Sequence, residues 1–212
     1  MKMVLLGPPG AGKGTHGKII ATRYNIPTIS TGDMIREAIK AGTEMGKAAK
    51  SIIDKGNLLA DDIVIGLVKE RIAADDCKNG FILDGFPRTV AQADALNQMG
   101  VEIDVALELF STDEEIVERL SGRRVCPVCG RTYHVVDNKP NVEGKCDDCD
   151  SELITRADDT ESTIRERLKV YHLQTEPLIE YYSKKGLHCS VHVTGELEEV
   201  SAKVKAVLEG IK

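Results

Sequence analysis

The segment Gly7-Pro8-Pro9-Gly10-Ala11-Gly12-Lys13-Gly14-Thr15 sets one lysine and one hydroxyl at the end of a glycine-rich run. Glycines let a backbone curl until successive N–H groups point inward, a concavity suited to phosphate oxygens. Residues 3–6 form an apolar run before the loop, and a helical pattern opens at Lys13. The helix N-terminus therefore adds partial positive charge, and Lys13 adds a full one. Strand, glycine loop, lysine and helix in this order make a phosphate loop of the kind that holds a nucleoside triphosphate. One departure from the strict pattern is that Gly14 follows the lysine, so the hydroxyl comes a residue later, at Thr15. A dinucleotide loop would not call for the lysine.

A second set of residues suits a second anion. Ser30-Thr31-Gly32-Asp33-Met34-Ile35-Arg36 follows the next apolar run, with Thr31 or Asp33 expected as N-cap and Arg36 one to two turns inside the helix. Alone, this would be a capped helix with a solvated arginine. A later run ends in Asp84-Gly85-Phe86-Pro87-Arg88-Thr89. An aspartate at the end of a buried strand beside a phosphate loop is placed to hold Mg²⁺, directly or through water. Gly85 permits close backbone approach and Pro87 fixes the turn. The planar fork of Arg88 suits a phosphate, and the carboxamide of Gln92 can read a purine edge by paired hydrogen bonds.

Cys126-Pro127-Val128-Cys129 and Cys146-Asp147-Asp148-Cys149 are two knuckles separated by sixteen residues. Four thiolates from two tight turns make a closed tetrahedral site, which favours a structural zinc ion. A redox pair or disulfides would be the competing use of such spacing. Iron also suits four thiolates. His134 lies close by as a surplus, surface-type histidine, and Cys77 and Cys189 read as small core residues or partly buried thiols. Arginines bound this insert. Arg123-Arg124 precede it, Arg156 closes it, and Arg165 and Arg167 lie on the helix that follows, with Asp158 and Glu161 spaced as a capping box. Phosphoryl transfer spreads negative charge over the moving group, so arginines at the rim of a closing insert are what it requires.

These residues need a frame. Apolar runs at 3–6, 26–29, 81–84, 104–110 and 188–193 alternate with helical patterns at 13–24, 31–41, 61–74, 89–99, 113–121, 160–184 and 196–210. Such alternation predicts an α/β fold, a three-layer arrangement around a central parallel sheet, with ligands gathered beyond the carboxyl ends of the strands. Two stretches break the rhythm. Residues 30–59 read as helix and turn with no strand, and residues 122–159 are rich in Gly, Cys, Pro and Asp and have no helical period. Both read as inserts on a core formed by 1–29, 60–121 and 160–212.

The 212 residues are 42% hydrophobic and 29% charged, enough for one core with small inserts. A net charge of −6 argues against a surface built to coat nucleic acid. No stretch is long and apolar enough to span a bilayer, and Gly7-Pro8-Pro9-Gly10 cuts short the leader-like start. With metal-style cysteine spacing, the expectation is a cytoplasmic protein, and nothing demands more than a monomer.

Taken in order, G-P-P-G-A-G-K-G-T, I-S-T-G-D-M, D-G-F-P-R-T with Gln92, G-R-R before the first knuckle and R-A-D-D after the second make the chain resemble the adenylate kinases, end to end. The cysteine insert resembles the zinc-binding lid of bacterial members. The resemblance implies transfer of a phosphoryl group between ATP and AMP, giving two ADP, with Mg²⁺ on the phosphates and no covalent intermediate. It implies ATP at Gly10, Ala11, Gly12, Lys13, Gly14 and Thr15, with Arg123, Thr132, Tyr133 and the main chain of Gly195 nearby. It implies AMP at Thr31, Arg36, Asn57, Leu58, Leu59, Gly85, Phe86, Pro87, Arg88 and Gln92, with Arg156 and Arg167 clamping the transferring phosphates. Lys13, Arg88, Arg123, Arg156 and Arg167 would be the catalytic cations. Residues 30–59 would be the monophosphate-binding domain and 122–159 the lid. Another nucleoside monophosphate kinase, a phosphate-loop switch or a zinc-ribbon binding protein are the alternatives that the residues alone leave open.

Overall fold

The computed structural model describes residues 1–210; positions 211 and 212, the end of the third expected core segment, lie outside the described residues. The chain begins with β1 (Lys2–Leu6), α1 (Lys13–Tyr24), β2 (Thr28–Ser30), α2 (Thr31–Lys40), α3 (Glu44–Ile53) and α4 (Asp61–Ile72). It continues through β3 (Phe81–Asp84), α5 (Val90–Gln98), β4 (Val105–Phe110), α6 (Asp113–Ser121), β5 (Arg123–Val125) and β6 (Thr132–His134). It ends with α7 (Glu161–Val170), α8 (Pro177–Lys184), β7 (His188–His192) and α9 (Leu197–Glu209).

Five strands form one parallel sheet in the order β2-β3-β1-β4-β7. Side chains alternate across it. Met3, Leu5, Ile82 and Leu107 meet Ile20 of α1, Ile116 of α6, Ile164 of α7 and Val204 of α9 on one face. Val4, Leu83 and Ala106 meet Val68 of α4, Leu96 of α5 and Leu178 of α8 on the other. Both faces are therefore covered, which is why these strands read as unbroken apolar runs rather than alternating ones. Each fully buried Leu or Ile stabilises the fold by roughly 1.5–3 kcal/mol relative to leaving it exposed. The register pairs Leu5 with Asp84 and Leu6 with Glu108, so the loop after β1 opens level with the ends of β3 and β4.

Several local expectations are corrected by hydrogen bonds that no spacing rule reports. The second strand starts at Thr28 rather than 26, because the Ile26 N–H is spent on the Ala21 carbonyl at the end of α1 and Pro27 has none to give. Ser30, not Thr31 or Asp33, caps α2 by accepting from the Asp33 N–H. Thr160 caps α7 by accepting from the Thr163 N–H, so the Asp158/Glu161 capping box does not form. The expected single helix over 160–184 is instead α7 and α8 joined by a wider turn at Tyr171–Thr175, with Pro177 opening α8.

The two inserts differ in kind. α2 and α3 pack so closely that a Cβ on Gly46 would lie 2.1 Å from the Ala38 carbonyl oxygen. The second insert has β5 and β6 as an antiparallel pair, tied by bridges at Val125–Ile154 and Lys145–Glu152 around Cys126, Tyr133 and Cys146. Among the described residues no helix is long and apolar enough to cross a membrane.

Candidate active site

α1 starts unlike its neighbours. α2, α3, α5, α6 and α7 each have a side chain that caps the first turn. α1 begins from Gly12 at φ 77, with no side-chain cap and no acid in its first turn. Its leading N–H groups are left for an external anion, as the phosphate-loop reading requires. The Lys13 ammonium donates to the Gly7 and Pro8 carbonyls at 2.7 and 2.6 Å, curling over its own loop. Burial lowers its pKa to about 8; Asp84 opposes the shift, and Arg88, Arg167 and Arg123 add to it. Asp84 ends β3 with its carboxylate 3.5 Å from where a Gly14 Cβ would sit. Burial pushes that carboxyl up, against the pull of Lys13 and Arg88. Ala11 is fully buried and offers only main chain, whereas Thr15 is exposed. Sequence reasoning passed over His16, which is 2% exposed with Nδ1 unpartnered and is held below the usual histidine range by burial. Its place four residues after Gly12, on the inner face of α1, was the available signal.

Beyond β2 and β3, two side chains converge on one carbonyl. Thr31 Oγ1 and Arg88 Nε both donate to the Gly85 oxygen at 2.8 Å. A Cβ on Gly85, at φ 78, would lie 2.9 Å from Arg88 Nη2 and 3.0 Å from Thr31 Oγ1, so only glycine fits here. Arg36 pairs with Asp33 at 2.6 Å. Phe86 and Leu59 are core side chains and Pro87 is buried, joined to Phe86 by a cis bond. Those three can meet a ligand only through main chain. Asn57 is exposed and Leu58 half-buried. Gln92 is 1% exposed, with Oε1 accepting from the Arg88 N–H and Nε2 donating to Asp61, both at 2.7 Å.

The insert brings the remaining arginines to the same place. Arg123 grips Asp159 with two bonds, 2.8 Å from Nε and 2.5 Å from Nη2. Arg167 reaches Asp158 at 2.9 Å and Asp159 at 3.3 Å. Arg88 and Arg156 are each lowered to about 10, first by burial and then by another arginine: Arg167 for Arg88, Arg123 for Arg156. Arg36 adds to both. Arg167 is likewise lowered, first by burial. Lys13, Arg88, Arg156 and Arg167 are thus all lowered, first by burial and then by neighbouring arginines, among which Arg36 and Arg123 bring in the other two expected segments. A polyanion would relieve that strain.

The three segments touch around this cleft. Lys40 of α2 donates to the Pro127 carbonyl in the first cysteine knuckle at 3.3 Å. Gly56 lies against α7, where an added Cβ would be 2.9 Å from Arg167 Cγ.

Two side chains of the insert, Tyr133 and His134, are placed differently from expectation. Tyr133 is 1% exposed, its hydroxyl accepting from the Asp147 N–H at 2.7 Å and donating to Cys146 Sγ at 3.4 Å, so its ring belongs to the insert's core. Only its main chain and the exposed Thr132 could face a nucleotide. His134 is not a surface histidine: its side chain is 14% exposed, Nδ1 accepts from the Val136 and Asp137 N–H groups, and Nε2 is buried without a partner. Gly195 is exposed at φ 90, just before α9.

The four knuckle thiols form a single cluster, all sulfurs within 4.8 Å of one another and Cys126–Cys149 and Cys129–Cys146 at 3.4 Å. Tetrahedral metal–thiolate bonds of about 2.3 Å put sulfurs roughly 3.8 Å apart, so the cluster fits one ion. The Val128 and Cys129 N–H groups point at Cys126 Sγ, each at 3.4 Å, and the Tyr133 hydroxyl first of all draws the Cys146 thiol down to about 6. Such donors suit bound thiolates.

This geometry can be set beside known proteins. The family model described as adenylate kinase matches residues 5–187. The adenylate kinase of Acetivibrio thermocellus is 53% identical over 216 aligned residues that cover the whole of both chains. That of Thermodesulfovibrio yellowstonii is 53% identical over 99% of each. A likeness that runs the full length, inserts included, at more than half of all positions leaves one assignment: the chain belongs to the adenylate kinase family.

Proposed function

We propose that this chain divides the reaction ATP + AMP = 2 ADP between two phosphate sites joined by its arginines. The phosphates of ATP lie on Gly10, Ala11, Gly12, Lys13, Gly14 and Thr15, and Asp84 would hold, through water, the Mg²⁺ that accompanies ATP and offsets phosphate charge. The AMP phosphate meets Arg36 and Arg88, and its base faces Gln92, Thr31 and the main chain around Asn57, Leu58 and Leu59. An oxygen of the AMP phosphate bonds to the γ-phosphorus as the bond to the β-γ bridging oxygen breaks, so the phosphoryl group moves directly. Lys13, Arg88, Arg123, Arg156 and Arg167 offset the charge that spreads over it. Residues 30–59 act as the AMP flap and 122–159 as the lid, closing on the core to exclude water, which would otherwise accept the phosphoryl group. The four-cysteine cluster takes zinc, whose role is to order the lid. The protein works as a monomer in the cytoplasm, without nucleic-acid or membrane partners.

The observation that carries this reading is that Arg88, Arg123 and Arg167 act on Lys13 at the uncapped start of α1, while Arg36 acts on Arg88, Arg156 and Arg167, which links cations of core, flap and lid. A nucleotide switch needs the phosphate loop but not a second cationic site at Arg36 and Arg88. A coupled assay of ADP formation, run with AMP, CMP, UMP and GMP as acceptors, tests it. AMP should be preferred by at least about a hundredfold in kcat/KM, the discrimination that a hydrogen-bonding site can impose. Comparable rates with CMP or UMP would move the assignment of the second site to another base. ATP hydrolysis with no transfer to any monophosphate would overturn the two-site reading.

A further inference from the structure

We infer that Asp61 is a positioning residue that fixes which way round the Gln92 carboxamide sits, and so sets the preference for a 6-aminopurine over a 6-oxopurine. The inference rests on the reading above that Gln92 faces the base of the monophosphate.

A carboxamide has an acceptor at one end and a donor at the other, and its two orientations are nearly equal in shape. They are opposite in what they read. Adenine offers a donor at its 6-amino group and an acceptor at N1, whereas a 6-oxopurine offers an acceptor at O6 and a donor at N1. A freely turning glutamine would serve either base. Here both ends are engaged by groups that cannot reverse their roles. Asp61 as a carboxylate only accepts, and its Oδ1 accepts a hydrogen bond from Gln92 Nε2 at 2.7 Å. The Arg88 N–H only donates, and it reaches Gln92 Oε1 at 2.7 Å. Turning the amide over would set oxygen against carboxylate and NH₂ against N–H. With Gln92 only 1% exposed, water cannot repair either mismatch. What remains for a ligand is one N–H and one oxygen lone pair, in the sense that fits adenine.

The second Asp61 oxygen is also employed by α5. Oδ2 accepts from Thr89 Oγ1 at 3.1 Å, and Thr89 in turn caps the helix by accepting from the Gln92 N–H at 3.2 Å. Asp61 thus holds both the main chain, through Thr89, and the side chain of Gln92 from the neighbouring helix, thirty-one positions away. An acid in the first turn of α4 would by itself be accounted for by the helix dipole. Asp62 stands in the same turn, though, and the bonds to α5 belong to Asp61.

The experiment compares AMP with IMP as acceptor, ATP being the donor, in the wild type, Asp61→Ala, Asp61→Asn and Gln92→Leu, with a melting curve for each. Loss of the Asp61 carboxylate should lower the AMP:IMP ratio of kcat/KM about tenfold, the worth of one buried hydrogen bond to a charged group. The change should fall on the KM for AMP and leave the KM for ATP within about twofold. Asp61→Asn keeps the size and polarity of the side chain but can turn either an oxygen or an NH₂ toward Gln92, so it should lower the ratio toward that of Asp61→Ala. If Asp61→Ala does not fold, Asp61→Ser, which keeps a polar group in the first turn of α4 but is too short to reach Nε2, takes its place. A ratio kept in Asp61→Ala but lost in Gln92→Leu would overturn the role given to Asp61 alone. An Asp61→Asn variant that keeps the wild-type ratio would overturn the claim that a group able only to accept is what fixes the amide. A ratio kept in Gln92→Leu would remove the base-reading role of Gln92, and this inference with it.

Discussion

Lys13 is held where burial works against its own charge. Its ammonium makes do with two carbonyls of the loop while three arginines raise the cost of keeping it protonated. Phosphate oxygens at the same point would reverse each of those effects, and most strongly in the transition state, where charge on the moving group is most widely spread. Lys13→Ala should therefore lower kcat by at least about a hundredfold with the fold intact, read from steady-state kinetics beside circular dichroism and a melting curve. A variant within threefold of wild type would remove Lys13 from the chemistry. The arginines are the contrasting case. In sequence, Arg165 and Arg167 look alike, two positions apart on one helix. In the fold, Arg165 is 58% exposed and bonded to its helical neighbour Glu161, while Arg167 is 20% exposed and turned to Asp158 and Asp159. Helical phase separates the two, and phase cannot be read until both ends of the helix are fixed.

At the scale of elements, the segment between α3 and α4 meets α7 at one glycine. Gly56 has φ 81 and is buried against α7, where a Cβ would press on Arg167 Cγ at 2.9 Å and the Thr163 carbonyl oxygen at 3.2 Å. Gly42, between α2 and α3, has φ 67 and open space around it. Gly42→Ala should carry only the backbone strain, roughly 1 kcal/mol. Gly56→Ala carries the same strain and also holds the flap off α7, so kcat/KM for AMP should fall about tenfold more than in Gly42→Ala. Kinetics and melting temperatures of the two variants check this; equal kinetics would mean that Gly56 is a turn and not a closing surface. This also marks what was legible in the chain. The phosphate loop, the parallel core and the cysteine cluster are written in local spacing, and local spacing was enough to find them. The Ser30 cap, the wide turn at Tyr171–Thr175 and the placing of Tyr133 inside the insert depend on partners supplied by tertiary packing. The bond from Asp61 to Gln92 joins different helices, and no periodicity relates them.

For the molecule as a whole, the question is what keeps the insert 122–159 in a shape that can close on the rest. Its own core is small: Cys126, Tyr133 and Cys146, with Leu153 packed against them. Val128 and Val136 are 67% and 66% exposed and contribute little to it. Two of the three core residues are metal-type ligands, so metal–thiolate bonds must supply much of the insert's order. The knuckle also carries the Pro127 carbonyl that accepts from Lys40 of α2, so disorder in the insert would loosen its contact with α2 as well. The cluster itself belongs to the insert, not to the arginine cleft. A metal bound there should set stability and leave phosphoryl transfer largely untouched. Stripping it with a chelator should lower the unfolding temperature by several degrees, since about 1 kcal/mol moves a chain of this size by roughly 2–4 °C. Activity measured well below that temperature should persist, because none of the four cysteines is among the residues assigned to the nucleotides. The measurement is metal content, a melting curve and a cold activity assay on the same loaded and stripped samples. An unchanged melting curve would refute the ordering role. Complete loss of cold activity, restored only by metal, would make the cluster a gate for lid closure and not a clip.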